Sequence, residues 1–234
     1  MKARTRTGAF TAACAAVALA GGMLVAAQTD AAAASPPPCF GPLATVWGGN
    51  GPDTLNTGAA KDVVHGLGGN DRIDSGAGAD VVCGGGGNDT LLAGSGDDRV
   101  AGNEGEDVIR GYAGSDELRG FDGKDTVYGG DGIHFTWNWG NDRLFGGPGP
   151  DTLLGSAGKD TLDGGPGPDT LVGGLGRDTL RGGAGKDLLL GNSGDDTIDA
   201  RDNEKDQVRG HAGFDRCYVD PIDDVSGCEV KVFG

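Results

Sequence analysis

An aspartate returns every nine residues from Asp53 to Asp125 and again from Asp142 to Asp196, almost always closing a glycine-rich hexapeptide. Counted from Gly48, the blocks run GGNGPDTLN, TGAAKDVVH, GLGGNDRID, SGAGADVVC and onward to GFDGKDTVY. A tenth block opens at Gly129 and is interrupted by an eight-residue insertion. The series resumes with GGPGPDTLL, passes an imperfect block at 200–209, and closes with GHAGFDRCY. The consensus is GGxGxDxUx, with U aliphatic. A short fixed period of this kind means a solenoid, in which each repeat packs only on its neighbours.

Position 8 supplies one aliphatic per block: Leu55, Val64, Ile73, Val82 and Leu91, and so on to Ile198. One apolar residue in nine matches no helical stripe, but it suits a very short strand with a single inward side chain. Positions 7 and 9 point the other way and are mostly polar, as at Thr54, Arg72, Thr90, Arg110 and Thr152. Each block therefore reads as a six-residue turn followed by a three-residue strand. Glycines at positions 1, 2 and 4 permit positive φ and close backbone approach. Two blocks make one 18-residue coil of a flattened parallel β-helix. The expected fold class is all-β, a solenoid of nonapeptide repeats with two repeats per coil.

The eighteen blocks over 48–218 resemble the RTX (haemolysin-type) calcium-binding repeat family, whose fold is the parallel β-roll. The resemblance implies that alternate blocks stack on the same side of the roll, with calcium held between their turns by position-6 carboxylates and turn carbonyls. Carried over by position, the metal ligands are Asp53, Asp71, Asp80, Asp89, Asp98, Asp107, Asp116, Asp125, Asp142, Asp151, Asp160, Asp169, Asp178, Asp187 and Asp196. Asp89 with Asp107, and Asp151 with Asp169, should each flank one ion. The departures are Thr57 and Ala60 in place of glycine, Ser75 and Ala93 at position 1, and the run from Arg201 to Lys205. They set Asp62 and Asp206 apart as the weakest matches.

The residue types favour calcium independently. Carboxylate and carbonyl oxygens suit hard cations, the turns hold no His/Cys cluster for zinc, and flexible glycine turns serve magnesium's strict octahedron poorly. Aspartate and glycine are also good turn residues, but turn preference alone would admit Asn or Ser at position 6, and neither occurs there. Two aliphatic side chains per coil offset little of the entropy of ordering eighteen residues, and stacked aspartates repel one another. The repeat region is therefore expected to be largely disordered without cations and to fold as they bind.

The formal charge is −16, and 30 of the 35 acidic residues are aspartate, so the acidity is that of the repeat. It argues against nucleic acid or an anionic membrane as partner. Residues 1–34 read as a secretory signal peptide, with Lys2, Arg4 and Arg6, an Ala-rich apolar stretch from Ala9 to Ala27, and an Ala-x-Ala site in the run at 31–35. The stretch is short and weakly apolar for a span, so no membrane span is expected in the mature chain. Loss of residues 1–34 removes three cations and one anion (Asp30), which leaves −18. The expected location is extracellular, where calcium modules work with millimolar-range affinities.

Cys14 leaves with the signal, and Cys39, Cys83, Cys217 and Cys228 allow three pairings. Cys217–Cys228 is favoured because it would staple the C-terminal end; Cys39–Cys83 then remains. The alternative for Cys217 is a buried thiol at position 8. Solenoid ends need covering, and residues 35–47 and 219–234 read as N- and C-terminal caps, with Trp47 structural. The insertion, 133–140, carries Trp137 and Trp139. It reads either as a bulge folded onto the roll or as an aromatic binding loop.

No nucleophile elbow or zinc-protease motif is present, and the histidines (His65, His134, His211) are scattered, so no enzyme is expected. The leading reading is a secreted calcium-binding β-roll. The alternative is a calcium-stiffened adhesin or carbohydrate-binding module that uses the aromatic insertion. A third reading, an ice- or surface-binding face on the Thr152/Thr170 and Thr161/Thr179/Thr197 ladders, is weakened by the interruptions at Arg143 and Leu188.

Overall fold

The computed structural model describes residues 44–130 and 140–234. The signal peptide, Cys39, most of the N-terminal cap and insertion residues 133–139 lie outside the described residues. The described chain winds as a two-sheet parallel solenoid with no helix. One sheet has eleven strands, starting Val46–Trp47, Val63–Gly68 and Val81–Gly86. The other has ten, starting Thr54–Gly58, Arg72–Gly76 and Thr90–Ser95. Successive strands alternate between the sheets, and each pairs in parallel with the strand two places on. The register is that of the repeat: Thr90 lies on Val108, Leu91 on Ile109 and Leu92 on Arg110. The nonapeptide parallel β-roll is thus the fold of this chain.

Position 8 builds the core as two columns. Leu55, Ile73, Leu91 and Ile109 stack in one sheet, and Val64, Val82, Val100 and Leu118 in the other, all at most 2 % exposed. Both columns belong to one continuous apolar cluster. Cys217 occupies the position-8 slot above Ile198 and is fully buried, yet it is bonded to Cys228 with a Cα–Cα distance of 6.0 Å. The favoured pairing is the one found, and the buried free thiol is not. Cys83 is also disulfide-bonded.

The strands differ from expectation in length. Most run five to seven residues, as in Thr90–Ser95 and Thr170–Gly176, and continue through positions 1 to 3 of the next block. Stacking at an 18-residue interval keeps the glycine segments in register too, so Gly94 pairs with Tyr112 and Gly85 with Asn103. Three-residue strands survive beside the insertion, at Thr126–Tyr128 and Arg143–Phe145, and at Thr197–Asp199 beside the imperfect block.

Beyond Tyr218 the coil continues. Asp224–Ser226 adds a strand to the ten-stranded sheet and Val230–Phe233 one to the other. Lys231 stands above Cys217, where an aliphatic would sit, and ends that core column with an exposed charge. A charge at the open edge discourages further strand addition.

Candidate metal centre

The position-6 aspartates form two rows, one along each edge of the roll. Each carboxylate reaches back by one coil: Oδ1 of Asp89 accepts the N–H of Asp71 (2.7 Å), and Oδ1 of Asp107 that of Asp89 (2.8 Å). The other row does the same, from Asp80 to Asp98 (2.7 Å) and Asp98 to Asp116 (2.9 Å). The insertion does not break the ladder, because Asp116 N–H still donates to Asp142 Oδ1 (2.9 Å) and Asp125 N–H to Asp151 Oδ1 (2.8 Å). Both rows continue to their ends, where Asp223 Oδ1 accepts from Asp206 (3.0 Å) and Glu229 Oε2 from Asp215 (2.7 Å).

The second oxygen is the informative one. In sixteen of these aspartates Oδ2 is buried and has no hydrogen-bond partner. A buried carboxylate oxygen without a donor carries a desolvation cost that proteins rarely leave uncompensated. Its surroundings offer further acceptors. A Cβ placed on Gly66 would overlap both Asp71 Oδ2 and the carbonyl oxygen of Gly84, and the same holds at Gly111 for Asp116 Oδ2 and Gly129 O. Two oxygens therefore converge over a bare Cα, with no donor between them. At these two coils the bare Cα at position 1 leaves room for both oxygens, whereas Ser75 and Ala93 hold position 1 in the turns of Asp80 and Asp98, whose Oδ2 atoms are likewise buried without a partner.

Electrostatics report the same frustration. Burial pushes the carboxyls of Asp71, Asp89, Asp98, Asp107, Asp151, Asp160 and Asp196 up to about 6. It takes those of Asp116, Asp125, Asp169, Asp178 and Asp206 to about 7, and that of Asp142 to about 8. Asp80, Asp187 and Asp215 are raised as well. The ladder N–H opposes the rise, and in many of them repulsion from neighbouring aspartates adds to it.

Each expected ligand from Asp71 to Asp196 stands in these rows with an orphaned Oδ2. Asp53, at the first coil, is partly exposed, and its Oδ2 accepts from Gly49 N–H. Asp62, one of the two weakest matches, is likewise only partly buried, with Thr45 Oγ1 donating to its Oδ1 (3.2 Å). Asp206, the other, is wholly buried and in register, as is Asp215, which the carried-over ligand set omits.

A second ladder escaped the sequence reading. At position 5, Asn88 N–H donates to Asn70 Oδ1 (3.0 Å) and Ser115 N–H to Asp97 Oδ1 (2.9 Å), which is the opposite sense to position 6. Lys159 N–H donates to Asn141 Oδ1 (2.8 Å) and Phe214 N–H to Asp195 Oδ1 (3.0 Å) in the same way. The signal was the scatter of Asn, Asp and Ser at that position.

Among the described residues no three His, Cys, Asp or Glu side chains gather at one point. Any cation in these turns would take one or two carboxylate oxygens and fill its shell from backbone carbonyls, a donor set of oxygen alone. The orphaned Oδ2 rows and their glycine cradles fit such an ion. Among the described residues, no helix is long and apolar enough to cross a membrane.

The RTX calcium-binding nonapeptide repeat is matched over residues 47–82, 84–109, 101–133, 138–171 and 163–198. The chain belongs to this family, a class of calcium-binding repeats that wind into a β-roll. Among curated proteins none matches the chain.

Proposed function

We propose that this protein is a secreted calcium-binding β-roll in which ions held between stacked position-6 aspartates, from Asp71 through Asp196 and on to Asp206 and Asp215, drive folding. The observation that carries this reading is the pair of buried Oδ2 rows without donors. A protein fold can retain them only if a cation or a proton neutralises them. The N-terminal signal of residues 1–34 and the disulfide Cys217–Cys228 support an oxidising, extracellular destination. The molecule then acts as a calcium-dependent structural or surface module with no catalytic role.

Dialysis against millimolar calcium or magnesium, with metal analysis of the retained protein, tests it. Many calcium ions per chain and little magnesium are expected. Equal retention of both metals, or of neither, would refute the reading.

A further inference from the structure

We propose that residues 39–43 form a strap across the outer face of the eleven-stranded sheet, over its first coils, held there by a Cys39–Cys83 disulfide. The N-terminal segment then clasps the side of the roll rather than closing only its end.

Outward positions on a two-sheet solenoid ordinarily face water. Farther along the eleven-stranded sheet they do: Arg99, Arg143, Thr161, Thr179 and Arg181 are exposed. The first coils depart from this. Val63 and Val81, at position 7, are each 6 % exposed, while at position 9 His65 and Cys83 are 3 % and Ala101 2 % exposed. Register joins them into one patch, with Val63 on Val81, His65 on Cys83 and Cys83 on Ala101. Every described strand belongs to one of the two sheets, so no described strand lies over this face. Nε2 of His65 is buried without a hydrogen-bond partner, and burial lowers the pKa of its ring. An apolar cover accounts for both.

Cys83 points to what the cover is. It is disulfide-bonded, and Cys217 and Cys228 are bonded to each other. Of the five cysteines in the sequence, Cys14 and Cys39 remain, and Cys14 lies far back in the stretch read as a signal. Thr45 N–H donates to Val63 O (2.7 Å), which fixes where the chain joins the sheet. From Thr45, Cys83 is two strand spacings across and two residues along, about 12 Å away. The six residues from Cys39 to Thr45 can span up to about 20 Å. The direct route passes over Val63 and Val81. The segment brings Phe40, Pro42 and Leu43 to it, apolar side chains for an apolar patch.

Peptide mapping of the folded chain without reductant should place Cys39 and Cys83 in one linked peptide; Cys83 joined to any other cysteine overturns the proposal. Diethylpyrocarbonate labelling, resolved by histidine, reads the cover itself. His211 is exposed and serves as the internal reference. In the unmodified chain His65 should react on the order of tenfold more slowly than His211. Phe40→Ser with Leu43→Ser keeps the bridge and strips the apolar contacts; His65 should then react on the order of tenfold faster, with His211 unchanged. Rapid labelling of His65 in the unmodified chain, or equal protection in both proteins, overturns the proposal. If the variant loses its β-rich spectrum, the linked peptide and the labelling rate of His65 in the unmodified chain decide.

Discussion

Asp89 holds the N–H of Asp71 at 2.7 Å on one carboxylate oxygen and leaves its other oxygen buried with no partner. The same division of labour recurs along both edges of the roll. One oxygen ties coil to coil, and the other awaits positive charge. The two tasks separate under mutation.

Asp89→Ala leaves the Asp71 N–H without its acceptor, at a cost of about 1–3 kcal/mol, and removes a ligand oxygen as well. Asp89→Asn keeps the acceptor and loses only the charge. Both should raise the calcium concentration at half-folding, Ala more than Asn. In chelator the order should invert for Asn against the unmodified chain, because repulsion with Asp107 is relieved. Circular dichroism against calcium concentration measures both effects.

Protons should partly substitute for calcium. In the ion-free roll burial pushes ladder carboxyls above their ordinary range, Asp71 to about 6, Asp169 to about 7 and Asp142 to about 8. The folded form therefore keeps protons that the unfolded chain releases. This contribution is complete below about pH 4 and is lost as pH rises through the folded-state values. In EDTA, β-structure should grow as pH falls from 8 to 4 and recede on return. With calcium present the dependence reverses, since protons compete for the same oxygens. A flat far-UV signal over that range in EDTA would contradict this.

Position 2 is left-handed even where it is not glycine: φ is 77° at Phe121 and 71° at Tyr112. For an ordinary residue that conformation costs about 1–2 kcal/mol, against about 0.5–1 kcal/mol for the extra chain entropy of glycine. Phe121→Gly should therefore stabilise the calcium-loaded roll by about 0.5–1 kcal/mol. Gly174→Ala should do the opposite, because φ there is +116° and the new Cβ would overlap Ser156 O. Thermal melts at fixed calcium report both.

Cys228→Ser should lower stability by about 2–3 kcal/mol at saturating calcium, since the bridge to Cys217 closes an 11-residue separation. Cys217 should remain buried as a thiol. Melting with and without reductant checks this: reductant should shift the unmodified chain and leave the contribution of this bridge absent from the variant.

The nine-residue period made the solenoid legible, because an 18-residue coil forces like positions into register. Leu91 over Ile109 follows from counting alone. The orphaned oxygens were not legible. Aspartate at position 6 says that an acid is there, but only the folded structure shows that Asp107 Oδ1 is engaged by Asp89 N–H while Oδ2 is not. The last coil was missed because Asp223 and Glu229 sit at altered spacing and the glycine-rich hexapeptide is gone, yet backbone pairing carries both into the ladder. Asp206 looked doubtful for the same reason: the residues before it do not fit the pattern. The structure absorbs them in an irregular loop and restores the register at the carboxylate.

The most direct test is far-UV circular dichroism of the mature chain, residues 35–234, titrated with calcium at neutral pH from excess chelator. A coil-like spectrum that converts in one cooperative step to a β-rich one is the predicted result. A spectrum that is β-rich in chelator at neutral pH, and indifferent to added calcium, would contradict the claim that cations supply the energy holding these coils together.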